Sequence, residues 1–519
     1  MNTRRPNILL ITSDQQHWNT LGIMNPEIRT PALDRLASEG VLFTRAYCVN
    51  PTCTPTRASI ITGRYPSQHG AWSLGTKLPE TELTVGELLS RAGYRTALVG
   101  KAHFQPLAGT AEFPSLESYP IMQDLDFWRN FHGPFYGFEH VELARNHTDE
   151  GHVGQHYAIW MEENGLPNWR DHFRPPTGNH PPQRGRWSLP LEFHYDRWIA
   201  ERTSALMEQY ARKGENFFLW ASFFDPHPPY LVPAPYDTMY DPEAITVPCV
   251  TPGEHDKNPP HFQLTQQQKP DFAPWRESGF AMHGFHSHLR NRKELAKDIA
   301  TYYGMITLMD EHIGRILQKL DDLGLADNTL VVFTTDHGHL FGQHGLTAKG
   351  AFHYEDLLRV PFIVRTPRHA ERGEAPPHRP AQRREACKVV TCDALQSLVD
   401  LAPTFLRIAG LEIPRTMSGV DQSEVWWWEK ESARDHVIVE NRHEPTTIYA
   451  ITYIDRRYKI TVYYNHDYGE LFDLESDPGE INNLWSNSEH AALKSNLLLK
   501  LIHAQLGNQP LWMPRVANA

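Results

Sequence analysis

Asn7-Ile8-Leu9-Leu10-Ile11-Thr12-Ser13-Asp14-Gln15 is a short aliphatic run that ends abruptly in polar and acidic residues. A brief apolar run with polar punctuation is the pattern of a strand buried on both faces. It recurs at Val41 to Tyr47, Tyr94 to Gly100, Phe217 to Phe223, Leu330 to Thr335 and Val360 to Arg365. Helical signals lie between these runs. Thr30-Pro31 opens Ala32 to Ser38, and Thr84-Val85-Gly86-Glu87 is a capping box before Leu88 and Leu89, stopped at Gly93. Ile299 to Leu320 keeps a helical period through Tyr302, Tyr303, Ile306, Met309, Ile313, Ile316, Leu317 and Leu320. The alternation predicts an α/β fold with a large, mostly parallel sheet sandwiched by helices. Ligands then sit beyond the carboxyl ends of the strands.

Two stretches break the alternation. Residues 105–190 and 228–290 are rich in Pro, His, Trp and Gly and read as insertions over one end of the sheet, where they would form the substrate pocket. A helical pattern from Asp393 to Ala409 is closed by Gly410. Strand-like runs follow at Val437 to Glu440, Ile448 to Tyr453 and Tyr458 to Tyr464, with a helix near 488–506. The expected division is a catalytic α/β domain over 1–412 and a smaller α+β subdomain over 413–519.

Composition narrows the function. A 40 % hydrophobic content supplies a large core, and a net charge of −12 argues against nucleic acid as a partner. An anionic substrate would need a local positive pocket. The apolar run Ile8 to Ile11 is too short for a leader, and no stretch approaches the ~20 apolar residues of a membrane span. The five cysteines (48, 53, 249, 387 and 392) form no CxxC pair, which fits a reducing compartment and a cytoplasmic location. A leader trimmed from the chain would be compatible with the same sequence.

Three places carry chemistry. Asp14-Gln15 and Asp336-His337 each follow a predicted strand directly. Carboxylate and amide oxygens with one imidazole suit a hard cation better than a thiolate zinc site, although a single strand-end Asp is as often a helix cap. Cys53-Thr54-Pro55-Thr56-Arg57 precedes a helix-like run, Ala58 to Thr62, which places the thiol at a helix N-terminus with Arg57 one turn on. His17, His69, His339 and His344 lie near these motifs, but the chain has 29 histidines, and these four are assigned structural or supporting roles.

Cys53-Thr54-Pro55-Thr56-Arg57 with Ile61-Thr62-Gly63-Arg64 resembles the signature of the sulfatase family, part of the alkaline phosphatase superfamily. The chain is also similar in pattern to bacterial sulfatases and phosphonate monoester hydrolases. Family-like segments follow in order: Gly100-Lys101-Ala102-His103, Pro226-His227-Pro228-Pro229-Tyr230, Asp336-His337-Gly338, Lys349 and Arg359-Val360-Pro361. Leu471-Phe472-Asp473-Leu474, Asp477-Pro478-Gly479-Glu480 and Asn483-Leu484 resemble the family's small lobe.

The resemblance implies that Cys53 is oxidised to Cα-formylglycine by a separate maturation enzyme. It implies that Asp14, Gln15, Asp336 and His337 hold one divalent cation together with residue 53, calcium first, with magnesium or manganese as the other hard ions. Arg57 would orient residue 53, and Lys101 and Lys349 would clamp sulfate oxygens. His103 would assist turnover of the covalent intermediate, and His227 would bind the ester or protonate its leaving group. A formylglycine hydrate is a geminal diol, so one hydroxyl can attack and the other can later expel sulfate.

The implied activity is hydrolysis of carbohydrate, aryl or alkyl sulfate esters, with a small-molecule or saccharide sulfate ester as substrate. Many family members have a second Asp in place of Gln15 and an Asn in place of His337, so a phosphonate monoester or phosphodiester hydrolase is the runner-up. A non-catalytic binding protein on the same fold is the third reading, opposed by the complete set of expected residues. Neither nucleic acid nor membrane is expected, and a homo-oligomer is compatible with the sequence.

Overall fold

The computed structural model describes residues 5–145, 152–173, 184–275, 291–367, 389–442 and 448–517. Parts of both predicted insertions (146–151, 174–183 and 276–290) therefore lie outside the described residues. The centre is an eight-stranded sheet in the order Thr391–Cys392, Val41–Phe43, Phe362–Arg365, Thr329–Thr335, Asn7–Ser13, Phe217–Ser222, Arg95–Gly100 and His140–Leu143. Only Phe362–Arg365 runs against its neighbours; the pairs from Thr329–Thr335 to His140–Leu143 are parallel.

Alternation within the strands builds two cores, because successive side chains point to opposite faces. Leu9, Ile11, Leu219, Ala221, Val331 and Phe333 face helices Pro31–Glu39, Tyr195–Lys213 and Arg292–Asp322. Ile8, Leu10, Phe218, Trp220, Leu330 and Val332 face the layer of Cys53–Thr62, Val85–Arg91 and Leu401–Ile408. Burial on both faces explains why the strands read as continuous apolar runs. The four-stranded antiparallel sheet of the C-terminal lobe runs in chain order through Val437–Asn441, Ala450–Ile454, Tyr458–Tyr463 and Gly469–Asp473, with Ala491–Gly507 packed on it. No helix among the described residues is long and apolar enough to cross a membrane.

Several expected elements change shape. Val41 to Tyr47 is two strands, Val41–Phe43 in the main sheet and Ala46–Tyr47 in a three-stranded sheet with Arg359–Val360 and Gln396–Ser397. Val360 to Arg365 splits at Pro361, which cannot donate to a ladder. The helix expected over Asp393 to Ala409 is confined to Leu401–Ile408, after a turn at Leu398–Asp400 in which Asp400 Oδ2 accepts the N–H of Ser397 at 3.2 Å. The helix Tyr195–Lys213 is absent from the predicted elements: its apolar stripe is interrupted by Asp196, Arg197, Glu201 and Arg202.

Thr30 precedes the Pro31–Glu39 helix without capping it. The cap comes from the long helix instead: Asp310, fully buried, accepts the N–H groups of Ala32 at 2.9 Å and Leu33 at 2.8 Å. Asp310→Ala would leave two helix-end donors unpaired, that of Leu33 buried and that of Ala32 half-buried, and the expected loss of stability is about 1–3 kcal/mol. Urea unfolding of the variant and the parent protein checks it; an unchanged midpoint would mean that water replaces the cap.

Candidate active site

Four neighbouring parallel strands end at one edge of the sheet, and a functional group stands at or just past each end. These are Asp336 after Thr329–Thr335, Asp14 after Asn7–Ser13, Ser222 at the end of Phe217–Ser222, and Lys101 after Arg95–Gly100. The Arg57 guanidinium touches all four. Its Nε donates to Asp336 Oδ2 at 2.8 Å, one terminal nitrogen to the Lys101 carbonyl at 3.0 Å and Ser222 Oγ at 2.8 Å, and the other to Asp14 Oδ2 at 3.3 Å. Arg57 is fully buried. Burial acts to lower its pKa, but Asp336 and Asp14 outweigh it and raise the value, so the cation is permanent. None of these hydrogen bonds goes to Cys53 itself; two go to carboxylates of the donor cluster, one to the Lys101 carbonyl and one to Ser222.

Every residue of the helix Cys53–Thr62 is buried, and the helix ends at Gly63 in the left-handed conformation (φ 64°). Cys53 Sγ lies 3.2 Å from Lys349 Nζ, 3.2 Å from His337 Nε2, 3.7 Å from Asp14 Oδ1 and 4.0 Å from Lys101 Nζ. Lys101 is also ion-paired with Asp14. Burial pushes the thiol up, Asp14 adds to this, and the two lysines only partly offset it. The helix-terminal position therefore does not create a thiolate here. Burial also acts to raise Asp14, but Lys101, Arg57 and Lys349 together hold it well below the usual carboxylate range.

Asp14, Cys53, Asp336 and His337 each bring one potential ligand atom within 4.8 Å of the others, all buried. Gln15 adds an oxygen: Oε1 is buried and has no hydrogen-bond partner. An orphaned buried amide oxygen on the residue next to Asp14 is a donor type that fits a hard cation, with two carboxylates and one imidazole as the other candidate donors. Gln15 (φ 60°), His103 (φ 58°) and Ala348 (φ 64°), next to Lys349, all hold left-handed backbone without being glycine. Such strain is maintained only where surrounding structure fixes it.

His103 is positioned by Glu117, which accepts the N–H of His103 at 2.6 Å and of Gln105 at 2.7 Å and is paired with buried Arg145 at 3.5 Å. Burial, with Arg145 and Lys101 nearby, keeps His103 neutral, and its Nδ1 has no hydrogen-bond partner. His227 is also held neutral by burial and by Lys349. Its Nδ1 lies 2.6 Å from the Pro228 carbonyl, which puts the proton there and leaves Nε2 as acceptor, 3.4 Å from Lys349 Nζ.

Sequence reading missed Ser222, Glu117 and Arg145, which carry no motif and act through backbone or charge contacts. It also missed a second buried polar group under the His227 turn, His194, Asp196 and Asp225. Asp225, raised by burial to about 7, gives its carbonyl to the N–H of Asp14 at 3.1 Å. Of the four supporting histidines, His17 pairs with Asp356 at 3.1 Å, His69 with Ser59 at 2.9 Å, and His344 stacks on Tyr354. His339 touches Gln15.

Two lysines, a nucleophile position and a cation cradle at one strand edge serve esters with a tetrahedral anionic centre, and the chain is a hydrolase of that class. A family model described as sulfatase matches residues 6–411, and one described as N-sulphoglucosamine sulphohydrolase, C-terminal, matches residues 342–506. The chain belongs to the sulfatase family. It is 28 % identical to an arylsulfatase of Clostridium perfringens, over 97 % of this chain and 94 % of the relative. It is 26 % identical to an N-acetylglucosamine-6-O-sulfatase of Bacteroides thetaiotaomicron, over 97 % of this chain and 87 % of the relative. The structure of a phosphonate monoester hydrolase from Silicibacter pomeroyi superposes with a TM-score of 0.76 at 25 % identity, covering 98 % of this chain and 96 % of that one.

Removing the guanidinium should be costly in two ways. Arg57→Ala leaves two buried carboxylates without their shared cation, and in the presence of a chelator the expected destabilisation is about 3–5 kcal/mol. Arg57→Lys keeps a charge but not the four-way fork, and kcat/KM should fall by at least ~100-fold. Chemical unfolding and steady-state kinetics on the two variants check both; wild-type kinetics in Arg57→Lys would show that the fork is dispensable.

Proposed function

We propose that this enzyme hydrolyses sulfate esters of sugars or small alcohols, using residue 53 in its formylglycine form beside one divalent cation. The observation that carries the reading is the convergence of Lys101, Lys349, Asp14 and His337 on Cys53 Sγ. The arylsulfatase and N-acetylglucosamine-6-O-sulfatase relatives support it. The raised thiol pKa supports it too, since an unmodified Cys53 would stay protonated and poorly nucleophilic.

Asp14, Gln15, Asp336 and His337 would hold the cation, calcium being our first assignment, with residue 53 as the remaining ligand. Bound there, it would supply Lewis-acid polarisation of the sulfuryl group and a lower pKa for the attacking hydroxyl. The formylglycine hydrate would supply that hydroxyl and a second one for release of sulfate. Lys101 and Lys349 place two ammonium groups where negative charge builds on the nonbridging oxygens. His227 Nε2 and Lys349 Nζ, 3.4 Å apart, share one mobile proton that can reach the departing oxygen. His103, neutral, is the base that takes the proton of the second hydroxyl.

A second reading, phosphonate monoester or phosphodiester hydrolysis with the same nucleophile, is favoured by the Gln15 and His337 donors and by the Silicibacter pomeroyi neighbour. The ratio of kcat/KM on matched sulfate and phosphonate esters separates the two.

Activity should follow the fraction of residue 53 converted, and conversion should remove about 18 Da from its peptide, the difference between CH₂SH and CHO side chains. Peptide mass spectrometry beside a sulfate-release assay compares protein made with and without the maturation enzyme; equal specific activity in the fully unmodified form overturns the mechanism. Lys101→Ala and Lys349→Ala should each lower kcat/KM by at least ~10-fold; Lys349→Ala should have little effect on folding, whereas Lys101→Ala also removes a buried partner of Asp14 and should lower stability. Full activity with a collapsed melting temperature would mark either lysine as structural.

A further inference from the structure

The two ends of the Gln15 amide have nearly the same shape but opposite polarity, and only the oxygen can serve a cation. Something must therefore select which end is left free for it. Gln15 Nε2 lies 2.7 Å from His339 Nδ1, and His339 Nε2 lies 2.7 Å from the Tyr230 hydroxyl. With the amide N–H donating to Nδ1, the imidazole carries its proton on Nε2 and donates to Tyr230. This leaves Gln15 Oε1 as the buried end without a protein partner, on the residue that follows Asp14.

The imidazole is itself held. It stacks on the Tyr302 ring, with centroids 5.4 Å apart and planes 18° from parallel. The Tyr302 hydroxyl donates to the Gln15 carbonyl at 2.8 Å and accepts the His17 N–H at 2.9 Å. The left-handed backbone of Gln15 and the orientation of its side chain are thus fixed by one aromatic group, drawn from the long helix, the turn after His227 and the loop after His337.

We propose that His339, buttressed by Tyr230 and Tyr302, is a positioning residue that turns the Gln15 amide oxygen toward the cation. The proposal rests on the metal reading given above. Partners of this kind around a metal ligand are worth about 10- to 100-fold in affinity. His339→Phe keeps an aromatic ring over Tyr302 but offers the amide no acceptor, so the amide must bury an unpaired N–H or turn its oxygen away.

The test is Mn²⁺ affinity of the metal-stripped full-length protein, by equilibrium dialysis and by electron paramagnetic resonance of the bound ion. Wild type, His339→Phe, Gln15→Ala and the double variant form a thermodynamic cycle. We expect His339→Phe to weaken Mn²⁺ binding by about 10-fold or more with an altered resonance spectrum, and to add nothing in the Gln15→Ala background, where no amide is left to orient. His339→Gln, which restores an acceptor without the ring, should recover most of the affinity.

Equal affinity in wild type and His339→Phe, or the same loss with and without Gln15, overturns the proposal while leaving the metal site intact. A wild-type protein that binds no Mn²⁺ overturns both. Should His339→Phe fail to fold, Tyr230→Phe takes its place in the same cycle with the same criteria, since it removes only the hydroxyl that holds His339.

Discussion

A single buried guanidinium ties the working parts of this molecule together. Four parallel strands end side by side, and their terminal groups would repel or diverge if left alone, since Asp14 and Asp336 are carboxylates at the same edge. Arg57 resolves this by donating to both and, on the same fork, to the Lys101 carbonyl and Ser222 Oγ. Because Arg57 lies one turn from Cys53 on the same helix, the bonds that set the spacing of the strand ends also set the position of residue 53 over them. A lysine has neither the reach nor the number of donors to do this.

The charge balance follows from that arrangement. The chain is acidic overall at −12, yet the space around residue 53 is lined by Lys101, Lys349 and Arg57, with Arg145 behind His103. Among these cations the Asp14 carboxylate, ion-paired with Lys101, is held ionised despite its burial. The neutral histidines His103 and His227 stand at the margin of this cluster, where a proton can be taken or passed without adding another fixed charge.

The sheet and the donor set were legible because both are local in sequence. A strand buried on two faces is a bare apolar run, and its functional residue is the next polar one, so Asp14 and Asp336 could be placed from Ile8 to Ser13 and Leu330 to Thr335 alone. The switch between sheets at Thr44-Arg45 and at Pro361 was hidden, since one hydrophobic run can feed two sheets. The Asp310 cap, the Glu117–Arg145 pair and the Tyr230–His339–Gln15 chain were hidden for another reason. Each joins residues far apart in the chain, and a lone buried Asp, Glu or His carries no sign of its partner.

The C-terminal lobe is part of the same constraint. Glu440, on its first strand, donates its N–H to the Val49 carbonyl at 2.8 Å, and its carbonyl accepts from Asn50 Nδ2 at 2.7 Å. Asn50 in turn accepts from Thr56 Oγ1 through its carbonyl at 2.7 Å, so the turn that presents Cys53 hangs from that strand. On the other side of the site, Lys459 donates to the His353 carbonyl at 2.6 Å, and Glu480 accepts the N–H of Glu355 at 2.6 Å. Lys459 and Glu480 are themselves ion-paired. The lobe therefore grips the chain a few residues before Cys53 and a few residues after Lys349. The 3.2 Å between Lys349 Nζ and Cys53 Sγ is a distance between two segments that the central sheet alone does not join. Glu440 and Lys459, the two anchors on the antiparallel sheet, tie these segments to one lobe, so a catalytic edge built by one domain leans on strands from the other end of the chain.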